Sequence, residues 1–310
     1  AVAEVRFKLA YSFFARQEFD SALYHFNIVK RNNNDFKHSA AYYSGYINYR
    51  NNENERALYD LKLAEESEEY QPIVPFMIAT IYNEEEQYQD LIAYVEKVLE
   101  RDVPLKNKSE ILLLSADAHY GLENYDEAAS LYSEYLDRKE GKADPEVKYR
   151  AGFSNYKTGD FEGAIANFKE VALSEDPIGY FASYYLGLLY LETDNFTFAL
   201  SAFEKSYKGN FEQEIKEETL YNIAKLRYDL HLYTEAMDAM EEFRQKYPEN
   251  EHINEINELI SSTYLITDDY DKALEYFRSL DYKSDKIKEA FQKIAFKKAV
   301  NLFNDRKYPE

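Results

Sequence analysis

The sequence predicts an all-α chain built from one motif, a short helix, a tight turn and a second short helix, written many times over. Three observations predict it. First, residues pair twelve apart at Ala10/Ala22, Gly45/Ala57, Ala79/Leu91, Ala116/Ala128, Gly152/Ala164, Gly187/Ala199, Ala224/Ala236 and Ser261/Ala273, all small except Leu91. Their spacing of 34 to 38 residues carries on to Ala299. Second, an aromatic stands three before the later member of each pair, at Phe19, Tyr88, Tyr125, Phe161, Phe196, Tyr233 and Tyr270, with Asn54 the departure. Four after that member comes a bulky plug: Phe26, Leu61, Val95, Tyr132, Phe168, Phe203, Met240 or Phe277. Third, all seven prolines fall between repeats, in a first helical turn, or at an inner turn (Pro309). None sits mid-helix, where each costs about 3 kcal/mol.

Each element has its own local reason. Repeat one places helices at 5–16 and 20–30, closed by the polar run 31–35. Repeat two starts near His38 and turns through 51–54. Repeat three begins at Pro72, whose fixed φ suits a first turn, and turns at 84–87. Repeat four runs from Ser109, an N-cap candidate, and turns at Glu123-Asn124. Asp144-Pro145 caps and opens repeat five. Its apolar and small residues at 149, 152, 153 and 156, and again at 161, 164, 165, 168 and 171, have helical spacing. Gly159-Asp160 breaks the two runs, because glycine tolerates the positive φ that ends a helix. Repeat six starts near Tyr180, repeat seven follows Lys208 to Asn210 and closes at Tyr247-Pro248, and repeat eight covers about 252–280. After Asp281 comes a further first helix at 286–303, and Tyr308-Pro309-Glu310 reads as the turn and helix start of a ninth repeat.

Half a repeat leaves an apolar face uncovered, and solenoids end in polar capping elements. The expectation is a single domain over 1–310 that is a segment of a longer array, or an open C-terminal end that docks on another chain, self-association included. A start at Ala1 is expected of a processed or excised chain.

Composition narrows the function. The formal net charge is −21, and an acidic surface repels phosphate backbones and anionic headgroups. Nucleic acid is therefore not an expected partner; a basic or neutral one is. No window reaches the ~18 apolar residues of a membrane helix, so direct membrane insertion is not expected. Cysteine is absent, which excludes disulfides, thiolate catalysis and cysteine-ligated metal together.

A period near 34 with this lettering resembles the tetratricopeptide-repeat family over nearly the whole chain. The family's early tryptophan is missing, and Phe7, Tyr42, Phe76, Tyr149, Tyr184 and Tyr221 supply the bulk one position later. The resemblance implies a right-handed α-solenoid superhelix of about eight helix-turn-helix repeats plus a partial ninth, with first helices on the concave face. It also implies a non-enzymatic protein–protein interaction scaffold. On that geometry the inward positions follow the i, i+4, i+7 stripe of a helix. They give the candidate partner-binding residues Phe7, Tyr11, Phe14, Tyr42, Tyr46, Tyr49, Tyr149, Phe153, Tyr156, Tyr184, Tyr221 and Tyr228. Glu4, Glu110, Glu146, Glu218 and Glu255 stand near the starts of the same helices as an acidic border.

Tyrosine combines large apolar contact, little rotamer entropy and a hydroxyl for peptide groups. Such a surface suits a protein or peptide segment with apolar anchors and Lys or Arg. The same aromatics can stack on sugar rings, which makes a glycan-binding module the alternative, and periodic aromatics also serve as packing between repeats. The basic clamp with which some family members hold chaperone tails is not expected, since its places hold Phe7, Tyr11, Tyr43, Ile73 and Met77. The Tyr- and Asn-rich wording is similar to bacterial envelope tetratricopeptide proteins of the YbgF/BamD type, which implies a periplasmic, envelope-assembly role.

Catalytic signals are weak. The five histidines (His25, His38, His119, His231, His252) show no metal-ligand spacing, and no glycine-rich phosphate loop or nucleophile elbow occurs. Runs such as Glu84-Glu85-Glu86 read as solvated helix surface in a chain with 58 acidic residues. Asn107-Lys-Ser109 and Asn195-Phe-Thr197 match the glycosylation sequon, a pattern short enough to recur by chance. Neither enzyme activity nor a cofactor nor a metal is expected.

Overall fold

The computed structural model describes residues 2–139, 143–280 and 283–306, and among them every regular element is a helix. Two compact units divide the chain, 1–164 and 165–310. The first unit holds α1 (Val2–Ala15), α2 (Phe19–Lys30), α3 (Lys37–Arg50), α4 (Asn54–Glu65), α5 (Val74–Glu84), α6 (Tyr88–Leu99), α7 (Lys108–Gly121), α8 (Tyr125–Lys139) and α9 (Pro145–Thr158). Helix α10 (Phe161–Val171) spans the division. The second unit continues with α11 (Pro177–Glu192), α12 (Phe196–Ser206), α13 (Gln213–Asp229), α14 (Tyr233–Lys246), α15 (Ile253–Thr267), α16 (Tyr270–Ser279) and α17 (Asp285–Asn304). Within each unit a second helix packs on its own first helix and on the next one, and successive first helices also touch, as α5 does α7 and α13 does α15. This nearest-neighbour order is that of an α-solenoid of helix-turn-helix repeats.

The twelve-residue pairs are where first and second helices cross. Ala10, Ala22, Ala57, Ala79, Leu91, Ala116, Ala128, Ala164, Ala199, Ala224, Ala236 and Ala273 have no exposed surface. Space sets the residue type. A Cβ on Gly45 would stand 2.8 Å from Leu61 Cγ, and one on Gly187 would stand 2.6 Å from the Phe203 ring. Leu61 and Phe203 are plug residues, and all eight plugs are buried. Burial of each such side chain stabilises by about 1.5–3 kcal/mol.

The turn aromatic is the first residue of its second helix at α2, α6, α8, α10, α12, α14 and α16, while Asn54 opens α4. Just before it stands a residue in the left-handed conformation: Gln17, Asn52, Glu86, Glu123, Gly159, Asp194, His231 and Asp268. In repeats one to four, six and seven the following amide reaches back to the carbonyl five residues earlier, as Glu53 does to Asn48 and Gln87 to Tyr82, both at 2.8 Å. That is the Schellman closure, which satisfies carbonyls a helix end leaves open. Glycine takes this place in repeat five, as expected, and residues with side chains take it in the other seven. Arg306, at the end of α17, takes the same conformation with φ 60°.

Some helix starts differ from the sequence reading. Ser109 lies inside α7, whose cap position is Asn107 with φ 59°. Pro72 precedes α5, and Pro75 occupies the first turn instead. Helix α11 begins three residues before Tyr180, because the Asp176 carboxylate accepts from the Gly179 amide and Pro177 follows it. The Asp144 cap is as expected, accepting from the Glu146 amide at 2.8 Å. Asp281 and the turn Tyr308-Pro309-Glu310 lie outside the described residues.

Bonds one repeat long tie neighbours together. Lys30 holds the buried carboxylate of Asp60 at 2.5 and 2.6 Å, with the Asn48 amide donating to it at 2.9 Å. Burial raises the Asp60 pKa, and Lys30 pulls it the other way. Arg150 bridges to Asp117 at 2.9 Å, and Arg101 to Glu65 at 2.7 Å.

Candidate protein-binding surface

In the first unit the predicted stripe forms a run of rings across α1 and α3. Tyr11 is exposed and lies 6.3 Å from Phe14 and 5.4 Å from Tyr43. Phe14 is 5.0 Å from Tyr43 and 5.7 Å, edge-on, from the exposed Tyr46. Offset and edge-to-face contacts at these separations suit the ring quadrupole. Tyr43 is the hub that sequence reasoning missed. It was placed off the stripe by one residue, although its ring also stacks 5.3 Å from Phe26, and burial pushes its hydroxyl up to about 12. A tyrosine pair at Tyr42-Tyr43 was the only signal.

The stripe is not uniformly open. Phe7 packs 5.6 Å from Phe26 and 5.1 Å from Phe36, in the core between α1 and α2. Tyr42 stacks 4.9 Å from Tyr70 and packs against the core of the second and third repeats. Tyr49 donates to Glu84 at 2.8 Å, and its hydroxyl is pushed up to about 12 by burial and then by that carboxylate. Further along the unit, Phe153 gathers Tyr149 (6.4 Å), Tyr156 (6.5 Å), Tyr120 (5.8 Å) and Tyr125 (5.6 Å), with Lys157 5.3 Å above its ring.

In the second unit two residues expected on the surface are interior. Tyr184 and Tyr221 are buried, and their hydroxyls bond Glu218 and Glu255 of the following repeat, the latter at 2.7 Å. Tyr221 also stacks 4.0 Å from His252. The next first helix covers each ring, so these side chains are joints between repeats. Tyr228 is half-buried, 5.8 Å from Tyr233. The same register on α17 carries Phe296, Val300 and Phe303, which are exposed and were not among the expected contacts.

The acidic border is also partnered. Glu4 pairs with Lys8 (2.7 Å), Glu110 with Lys139 (3.0 Å), Glu146 with Arg150 (2.5 Å) and Glu255 with Lys225 (3.0 Å), while Glu218 accepts from Tyr184. Glu218, with a neutral donor, keeps its charge, and so do two carboxylates at the end of α5. Glu84 and Glu85 accept from neutral donors, Tyr49 and Asn54, and so keep their full charge. Sequence patterning alone assigns these carboxylates to solvated helix surface. Among the described residues no group of three His, Cys, Asp or Glu is placed to hold a metal, and no helix is long and apolar enough to cross a membrane.

Stacked helical hairpins displaying an aromatic row on their first helices define a helical-repeat scaffold. The chain belongs to the tetratricopeptide-repeat family: models of the tetratricopeptide repeat match residues 76–145, 149–214 and 218–250. No curated protein matches it. Among solved structures it is similar to MamA 41-end from Desulfovibrio magneticus RS-1, at 20% identity over 60% of this chain and 97% of that one, with a TM-score of 0.41. It is similar to YrrB, described as a TPR protein with an unusual peptide-binding site, at 15% identity over 58% and 88%, with a TM-score of 0.46. A structure of MamA AMB-1 is 18% identical over 59% and 91%, with a TM-score of 0.45.

Proposed function

We propose that this protein is a non-enzymatic scaffold whose first unit holds a partner polypeptide on the aromatic row of α1 and α3. Family membership supports a protein-binding role. The observation that carries the finer reading is a row of exposed rings on α1 and α3 (Tyr11, Tyr46) on the stripe that continues to Tyr49, whose hydroxyl donates to Glu84, while Asn54 donates to the neighbouring Glu85. Rings take apolar anchors at low entropic cost, and the carboxylates attract Lys or Arg. The partner is thus a segment with alternating apolar and basic side chains. An envelope-assembly role, implied by the wording of the repeats, belongs to the same reading.

The experiment is partner capture from source cells on the wild-type chain and on a Tyr11→Ala/Tyr46→Ala/Tyr49→Ala variant, with circular dichroism as the folding control. Tyr42 is left intact because it is packed on Tyr70. The expected result is a loss of about tenfold or more in affinity, the scale of a removed interface anchor. Capture that survives in a folded variant would sink the reading. Binding that ignores added salt and is competed by a neutral oligosaccharide would assign the rings to glycan.

A further inference from the structure

In repeats four and five of unit one a lysine stands in a corner of aromatic rings built by α7, α8 and α9. Phe153 of α9 lies 5.6 Å from Tyr125, the first residue of α8, at an interplanar angle of 74°. Tyr120 of α7 stands 5.8 Å from Phe153 and 5.9 Å from Tyr125, at 65° and 78°. Each pair of these rings is closer to perpendicular than to parallel, and ring faces carry the negative side of the quadrupole. The Lys157 ammonium is 5.3 Å from the Phe153 centroid and 6.0 Å from that of Tyr125, within the reach of about 6 Å over which a ring attracts a cation.

Lys157 is exposed, and in a chain with 58 acidic residues it forms no ion pair among the described residues. It is also the one lysine among them that stands over two rings. Its stem is flexible and its ammonium strongly hydrated, so it loses little by swinging out into water. A guanidinium is planar, stacks on aromatic faces and is more weakly hydrated, so it gives up less on entering the same corner. Glu123, exposed at the turn before α8, lies close enough to act on the Tyr125 hydroxyl, which burial and then this carboxylate push up. A negative charge therefore borders the corner. Arg150, the other cation near Tyr120, is engaged elsewhere, with Asp117 at 2.9 Å and Glu146 at 2.5 Å.

We propose that this corner is a cation subsite for an arginine side chain of a partner polypeptide, which displaces Lys157 and stacks on Phe153 beside Tyr125. Lys157 holds the place in the free protein. As an internal competitor it selects for arginine, because a partner's lysine would only exchange like for like. The subsite deepens the reading of unit one as the holder of a basic segment, and rests on that reading only for the source of the arginine.

The test is a titration of the whole 310-residue chain with acetyl-Gly-Arg-Gly-amide, followed by the ring-current shift of the arginine methylene protons, beside the lysine and citrulline peptides. The arginine peptide is expected to bind in the millimolar range and at least about threefold more tightly than either of the others. Lys157→Gln, at an exposed position, is expected to raise its affinity about threefold, the scale of one exposed cation–ring contact. Lys97→Gln, exposed on α6 and equal in its change of net charge, is expected to leave it unaltered. Tyr125→Leu, with circular dichroism as the folding control, is expected to lower it by a similar factor. The Tyr11→Ala/Tyr46→Ala/Tyr49→Ala variant is expected to bind the peptide as the wild type does, so failure of the row and failure of the corner are told apart. The proposal is overturned if the lysine or citrulline peptide binds as well as the arginine one, or if neither the wild type nor Lys157→Gln binds it at about 20 mM. It is overturned equally by an unchanged affinity in Lys157→Gln, by the same gain in Lys97→Gln, or by a loss in the triple tyrosine variant.

Discussion

Asp60 shows how much one interior charge depends on its partner. Its side chain is almost wholly enclosed, and Lys30 and Asn48 are its donors. In Lys30→Met the carboxylate would stay buried without a counter-charge, which costs about 3 kcal/mol at neutral pH. The sign with pH follows from the direction of its shift. Burial already raises its folded pKa, and loss of Lys30 removes an opposing influence. The folded state then holds the proton more tightly than the unfolded one, so the deficit is complete above the folded pKa and fades as pH falls toward about 4. Urea denaturation at pH 7 and at about pH 4.5 would show this; a deficit equal at both would refute it. Nothing in the sequence marked this pair, because Lys30 and Asp60 stand thirty residues apart and look like surface charges until the repeats stack.

At the scale of the element, the turn between paired helices is set by backbone conformation more than by residue type. Glutamine, asparagine, glutamate, aspartate and histidine all occupy the left-handed position that a side chain makes unfavourable by roughly 1–2 kcal/mol. Opposite substitutions should therefore move stability in opposite directions. Gly159→Ala should lose about 1 kcal/mol, and from the backbone alone, since an added Cβ meets nothing within 4 Å. Glu123→Gly should gain about 0.5 kcal/mol, the relief of strain less the extra entropy of the unfolded chain. Thermal melts of the two single variants decide it; the same sign in both would show that the turn conformation is not what limits them. The strained turn is tolerated because the second helix, anchored by its plug residue and by the Schellman bonds, leaves the chain no other path.

For the whole molecule the governing quantity is the net charge of −21. Most ion pairs are exposed and individually worth little, so collective repulsion dominates the response to salt. The midpoint of thermal unfolding should rise by a few degrees between low salt and about 0.5 M sodium chloride, as screening shortens the range of that repulsion. A falling midpoint would mean that attractive pairs outweigh it. The fold was legible at this scale because a repeat states the same packing solution eight times. The candidate surface was legible only in part. Helical spacing names the face on which Tyr11, Tyr46, Tyr184 and Tyr221 all lie, but not how far the next repeat overlaps it. That overlap buries the last two and leaves the first two open.

The amino-acid order alone determined the helical hairpins, their register, the small residues at each crossing and the plug that fills each core. These depend on contacts within a few turns of chain, which periodicity records directly. Tertiary structure alone decided which tyrosines are joints and which are surface, and which carboxylates keep their charge. Those outcomes turn on partners about one repeat away, whose distance and direction no local pattern contains.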